Sequence, residues 1–341
     1  AVVDGAAGRR TRGRRLRQLL PRERRERAQQ ARVERRLLDR AQVPRHAQLR
    51  AVCLEGNVLD ANVQWKARDQ RRGRQDALAL ALDVRRVAAR AGTSTHADKS
   101  NQLARIVIAA VASGVDRGVL TKDPFRIAEH AVENLPCRNQ VSIVPIGITH
   151  TDADTESAVS VMRAEGCTCL VTFGGDGTNR IVSRAWPDAV ILPLSTGTNN
   201  VFPSMLEPTV VGAATALMAR GEVPLESGAR RAKQIHVTQA DRHELALVDA
   251  VLLRDDILGS LLPFDAGRID AVFLTRAEPA AVGMSPIGGF IDPCFEPDDW
   301  GLAVECGAPA RYSPMVPISP GLYAEVRVKR ARRLAFGESV T

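Results

Sequence analysis

Residues 167–173 (Cys-Thr-Cys-Leu-Val-Thr-Phe) form a nearly continuous apolar run that ends in Gly174-Gly175-Asp176-Gly177-Thr178-Asn179. An apolar run with little alternation is what a strand covered on both faces of a parallel sheet requires. A glycine-rich turn follows at its carboxyl end, and then a short helical stretch containing Ile181 and Val182. In such a strand-loop-helix unit, glycines let backbone N–H groups approach an anion, and the helix N-terminus adds donors and a favourable dipole. Thr178 can cap the helix or touch a phosphate. Asp176 stands where a carboxylate accepts a hydroxyl proton or holds Mg²⁺. Taken alone, the loop would be an ordinary turn with a capping Asp.

A second loop decides the matter. Ser195-Thr196-Gly197-Thr198-Asn199-Asn200 directly follows another apolar strand, over 189–194. Ser195, Thr196 and Thr198 offer hydroxyls, and Asn199 and Asn200 offer amides. Two polar, glycine-containing loops at the carboxyl ends of neighbouring strands mark the place where open α/β sheets bind nucleotides.

The flanking pattern alternates helix and strand. Helices are expected over 98–112, from Asp123-Pro124 to Asn134, and from an Asp152 or Asp154 cap to Gly166; strands are expected over 115–120 and 141–146. After residue 228 strand-like runs dominate, at 234–237, 244–253, 269–274 and 322–328. The fold class expected is α/β: a doubly wound nucleotide-binding domain over 94–228, followed by a β-rich substrate domain over 229–341, with the active site in the cleft between them.

Residues 1–93 read differently. Residues 1–90 hold 24 Lys and Arg against 10 Asp and Glu, whereas the remainder holds 23 against 29, so the chain's charge of +8 belongs to its first part. With Trp65 its only aromatic and no apolar stripe, 1–93 is expected to stay outside the compact fold, as a disordered or non-native basic segment. Missing aromatic interleaving argues against a nucleic-acid-binding arm. Six cysteines show no metal-finger spacing, so reduced thiols without a metal are expected. No apolar run is long enough for a membrane span, which predicts a soluble cytoplasmic chain. The partners expected are small-molecule nucleotides and further copies of the chain in a homo-oligomer, with neither membrane nor nucleic acid.

The GGDGT phrase, followed some twenty residues later by the GTNN loop, resembles the superfamily of NAD kinases, diacylglycerol kinases and sphingosine kinases. The phrases LSTGTNNVFP, ELALVDAVLL and AVGMSPIGGF are most similar to its ATP-NAD kinase-like AcoX branch, associated with acetoin catabolism. The resemblance covers 95 to the C-terminus. It implies an ATP-dependent, Mg²⁺-assisted phosphotransferase acting on a small hydroxyl acceptor, with NAD as the leading substrate. Gly174, Gly175, Gly177 and Thr178 would line the ATP phosphates, together with Ser195, Thr196, Gly197, Thr198 and Asn199. Asp176 would be the catalytic acid and would assist the metal. Asn200, Asp249 and the Ser285, Gly288, Gly289 loop would meet the acceptor. Three departures stand out. Asn200 replaces the Asp of lipid kinases, Val248 replaces an amide that NAD kinases place before the residue matching Asp249, and no NPxSG-type strand is found in 1–93. Relatives also continue into further strands beyond the equivalent of Thr341, which implies a shortened β-rich domain. Besides the NAD kinase-like activity, a non-catalytic nucleotide-binding protein and a lipid kinase therefore remain open.

Overall fold

The computed structural model describes residues 51–58, as backbone, and 94–196, 200–254 and 265–340 with their side chains. All belong to one compact unit, Gln48–Thr341.

The first half alternates helix and strand. Helix α1 (His96–Ala112) starts at Thr95, whose hydroxyl accepts from the Asp98 N–H while the Asp98 carboxylate accepts from the Thr95 N–H, a reciprocal cap. Strand β2 (Gly118–Thr121) pairs in parallel with β3 (Val141–Val144), and helix α2 (Ile127–Val132) lies between them. Helix α3 (Asp152–Ala164) leads to β4 (Leu170–Gly174), helix α4 (Asp176–Ala185) and β5 (Ile191–Ser195), which is parallel to β4. Helix α5 (Pro208–Ala219) and the short α6 (Leu225–Gly228) complete this half.

The second half is β-rich. Strand β1 (Ala51–Val58), β6 (Ala232–Gln239), β7 (Arg242–Ala246) and β14 (Ser339–Val340) form one antiparallel sheet, in the order β14-β1-β6-β7. Strands β8 (Asp249–Leu253), β9 (Ile269–Leu274), β10 (Trp300–Cys306) and β13 (Val328–Ala335) form another, in the order β13-β10-β9-β8. A hairpin, β11 (Met315–Ser319) with β12 (Leu322–Glu325), and helix α7 (Ser285–Gly289) cover it. Ile269, Leu274, Ile287, Leu302, Val304 and Ile318 make its core, none more than 2 % exposed. An α/β half followed by a β-rich half is thus the observed class.

Local expectations need four corrections. First, Ala51–Val58 is a strand paired with β6, so 1–93 does contribute to the fold; its short apolar run, 51–54, is lost to a simple reading within a basic segment. The rest of 1–93 lies outside the described residues. Second, α2 begins at Ile127, because the Asp123 carboxylate accepts from the N–H groups of Phe125 and Ala128 and holds a turn ahead of the helix. Third, Thr151 caps α3, while Asp154 accepts from the N–H groups of Thr149 and His150 before it. Fourth, the expected strand over 244–253 is two strands in different sheets. Leu247 and Val248, each 4 % exposed, turn between them into the core of the α/β half, against Leu170, Val182 and Phe202.

Helices α1 and α5 pack closely enough that Gly212 touches the Ile106 carbonyl, and a Cβ there would overlap it. Gly212→Ala is therefore expected to force the helices apart and cost ~1–3 kcal/mol, despite the better helix propensity of Ala. Urea unfolding checks this; an unchanged midpoint would show that the pair gives way freely.

Candidate functional site

Register places the two glycine loops side by side. Gly174, the last residue of β4, is opposite Ser195, the last residue of β5, so both loops leave the sheet at one edge. The Thr196 N–H donates to the Gly174 carbonyl at 3.3 Å. The returning chain is fastened to β5 where the Ser195 N–H donates to the Ser204 carbonyl at 3.0 Å. Gly197, Thr198 and Asn199 lie outside the described residues.

The first loop grips the second. Asp176 opens α4, and its Oδ1 accepts from the N–H groups of Val201 at 3.0 Å and Phe202 at 2.9 Å. Its Oδ2 accepts from the Val201 N–H at 3.1 Å. In return the Asp176 N–H donates to Asn200 Oδ1 at 3.0 Å, and Asn200 Nδ2 donates to Ser195 Oγ at 2.9 Å. Asp176, Asn200 and Ser195 thus close a reciprocal lock between the loops. Charge-assisted bonds to backbone N–H groups are among the stronger kinds, so the lock holds Ser195 and Asn200–Phe202, the two ends of the second loop, in place.

The glycines have a packing reason to be there. Thr178 leans over Gly174 so closely that any Cβ at 174 would overlap its hydroxyl. A Cβ at Gly175 would overlap Asn200 Oδ1. Gly175→Ala is accordingly expected to unseat Asn200 and weaken ATP·Mg²⁺ binding about tenfold, the equivalent of one net hydrogen bond of ~1.4 kcal/mol. Calorimetric titration reads this directly, and wild-type affinity in the variant would count against the lock. Gly177 is buried within α4. Behind the loop, the Thr172 hydroxyl donates to Asn179 Oδ1 in the buried first turn of that helix.

Asp249 begins β8 and is part-buried. Its carboxyl is pushed up to about 7, first by loss of solvent and then by the negative charge of Asp176. A carboxylate raised by the charge of a second one beside it is part of a donor set that a divalent cation such as Mg²⁺ would satisfy. Among the described residues no group of three or more His, Cys, Asp or Glu side chains stands ready for a metal.

The other residues expected at the acceptor site serve the fold. Ser285 is fully buried; its hydroxyl donates to the Arg276 carbonyl and accepts from the Glu278 N–H, both at 2.8 Å. A Cβ on Gly288 would lie 2.6 Å from Leu274 Cδ1 and 2.7 Å from Leu302 Cδ2, and one on Gly289 would lie 2.6 Å from Pro279 N. These three let α7 sink into the core. Val248, the residue in place of an amide, is also a core residue.

Arg276, which belongs to no motif, is the side chain that brings the β-rich half to the loops. It is 8 % exposed, lies over the Phe202 ring at 5.0 Å and donates from Nη1 to the Val201 carbonyl at 3.5 Å. Its Nη2 stands 3.6 Å from Glu296. A charge one residue beyond the largely apolar run 269–274, after Thr275, was the one available signal. A second link joins α4 to β7, where buried Arg180 pairs with Glu244.

Comparison with known proteins agrees with this division. Residues 84–223 match the family described as ATP-NAD kinase N-terminal domain, and residues 233–341 match the acetoin catabolism protein X C-terminal domain. Acetoin catabolism protein X of Cupriavidus necator is 33 % identical over 271 residues, covering 75 % of this chain and 76 % of that protein. No solved structure matches the chain. With its kinase-type loops locked at one sheet edge and its β-rich half of matching type, the chain belongs to the acetoin catabolism protein X family, which carries an ATP-NAD kinase-like first domain.

Proposed function

We propose that the chain is an ATP-dependent phosphotransferase acting on a small hydroxyl acceptor, with NAD as the leading acceptor and a role in acetoin catabolism. The observation that carries this reading is the reciprocal lock of Asp176 with Val201, Phe202 and Asn200, which shapes two phosphate-type loops at the carboxyl ends of paired parallel strands. Open α/β sheets bind nucleotides at that kind of edge. Mg²⁺, held by Asp176 with Asp249 beside it, would neutralise charge on the transferred phosphoryl group.

Three groups of residues divide the work. Asp176 holds the second loop in register. Arg276 backs that loop from the β-rich half. Asp249, with its carboxyl near neutrality, accepts the acceptor's hydroxyl proton at physiological pH. Positioning and charge, rather than covalent chemistry, supply the rate.

Two observations favour a second reading, a nucleotide-binding protein without transferase activity. The Asp176 carboxylate is already engaged by two backbone N–H groups, and Val248 presents no amide to an acceptor. Titration of ATP·Mg²⁺ and of NAD, followed by an assay for NADP, separates the two. ATP binding with NADP formation supports the kinase; ATP binding without NAD binding or NADP supports the second reading, and no ATP binding rejects both.

A further inference from the structure

A cavity of about 410 Å³ lies at the opposite end of β5 from the nucleotide loops. Its walls are apolar: Ile191 and Leu192 of β5, Leu217 and Met218 of α5, and Val223 beyond the helix. Helix α5 accounts for the opening. From Pro208 to Ala219 it carries no charged residue, and its Val211–Gly212–Ala216 face packs against α1 and the sheet, while Ala214, Leu217 and Met218 line this space. Leu217 is left 37 % exposed there.

Two charged groups border the apolar walls, and they are not equivalent. Glu296 is matched by Arg276. Arg230 is exposed and makes no ion pair among the described residues. An apolar cavity bordered by one unmatched guanidinium suits a molecule with an aliphatic body and an anionic head. At roughly 30 Å³ per water-sized group, the space takes about a dozen non-hydrogen atoms.

We propose that this cavity is a second ligand site, which takes a medium-chain aliphatic anion with its head on Arg230 and its chain against β5 and α5. The site also reports to the nucleotide loops. Glu296, Arg276, Val201 with Phe202, and Asp176 form an unbroken chain of contacts from the cavity to the lock. An anion seated beside Glu296 drives its carboxylate toward Arg276, which steadies the second loop; the bound anion therefore tightens ATP binding. This coupling rests on the nucleotide reading of the loops, whereas the site itself does not.

The test titrates a series of straight-chain carboxylates into the full chain, first without nucleotide. Affinity should rise about fourfold per added methylene up to roughly ten carbons and then level off, at one molecule per chain. Octyl phosphate in place of octanoate tells a phosphate head from a carboxylate, and binding by either keeps the site. Octylammonium should not bind, and Arg230→Glu, a surface change, should weaken octanoate at least about tenfold. The proposal is overturned if no anion binds, if octylammonium binds equally well, if Arg230→Glu has no effect, or if affinity keeps climbing with chain length as for adsorption to an open surface. ATP·Mg²⁺ is then titrated with and without octanoate. Octanoate binding without any change in ATP affinity sinks the coupling alone, and octanoate binding by a chain that does not bind ATP sinks the nucleotide reading alone.

Discussion

Asp176→Ala should abolish phosphotransfer, weaken ATP·Mg²⁺ binding and lower stability together. The substitution strips the acceptor from the Val201 and Phe202 N–H groups. Phe202 is buried, so its N–H is poorly placed to recover water, and an orphaned group of this kind costs about 1–3 kcal/mol. Losing the second loop and the charge together should reduce turnover by at least about a thousandfold. Asp176→Asn separates the two contributions. Its remaining carbonyl keeps the two bonds made by Oδ1, so folding and ATP binding should largely survive while the charge is lost. Both variants should also let the Asp249 carboxyl fall from about 7, because the charge of Asp176 helps to hold it there. Thermal unfolding, calorimetry and carboxyl NMR measure these three effects. An Ala variant that binds ATP·Mg²⁺ as tightly as wild type would refute the lock.

Asp249→Asn carries the second large effect, and its sign depends on pH. In the folded chain the carboxyl sits near 7 against an ordinary value of 3.8. Between those values the folded state binds more protons than the unfolded state, so stability falls as pH rises from about 4 to about 7 and is level above that. At 1.36 kcal/mol per pKa unit, and discounting for partial exposure, the loss is on the order of 2 kcal/mol. Asn cannot ionise, so the variant should lack this slope and be more stable than wild type at pH 8. Its phosphotransfer should drop about a hundredfold or more, as expected for a lost proton acceptor. Melting temperatures from pH 4 to 8 for both proteins provide the test. The same slope in each would clear Asp249 of the effect.

Much of the α/β half could be read from the chain, because its signals are local. The apolar run into Gly174 and Gly175 and the run into Ser195 each combine a periodicity with a turn residue, and β9 over Ile269–Leu274 lies where its apolar residues put it. The pairing of the two loops was legible for the same reason. What the motif could not show is that Asp176 faces backbone N–H groups of the other loop, since contacts between residues twenty-five positions apart leave no periodic trace. The same holds for Ser285, Gly288 and Gly289. A Ser with two nearby glycines looks like a ligand loop in sequence, yet a glycine required for close helix packing has the same spelling. Leu247 and Val248 show the limit most clearly. Their run holds neither glycine nor proline to mark a turn, and only the presence of a second core explains why it changes sheets.

The pairing of Arg180 with Glu244 and the seating of Arg276 on Phe202 bear on how such chains can recombine. Each places a guanidinium no more than 8 % exposed in one half against a partner supplied by the other. A chimera that exchanged the β-rich half for one lacking an acid at 244 would leave Arg180 charged and desolvated without its Glu244 partner, a defect worth several kcal/mol. The kinase-type half and its companion therefore do not behave as interchangeable cassettes. Substitutions at 180 and 244, or at 202 and 276, should be tolerated best as matched pairs, and a library of half-swaps should yield folded proteins chiefly where both pairs travel together.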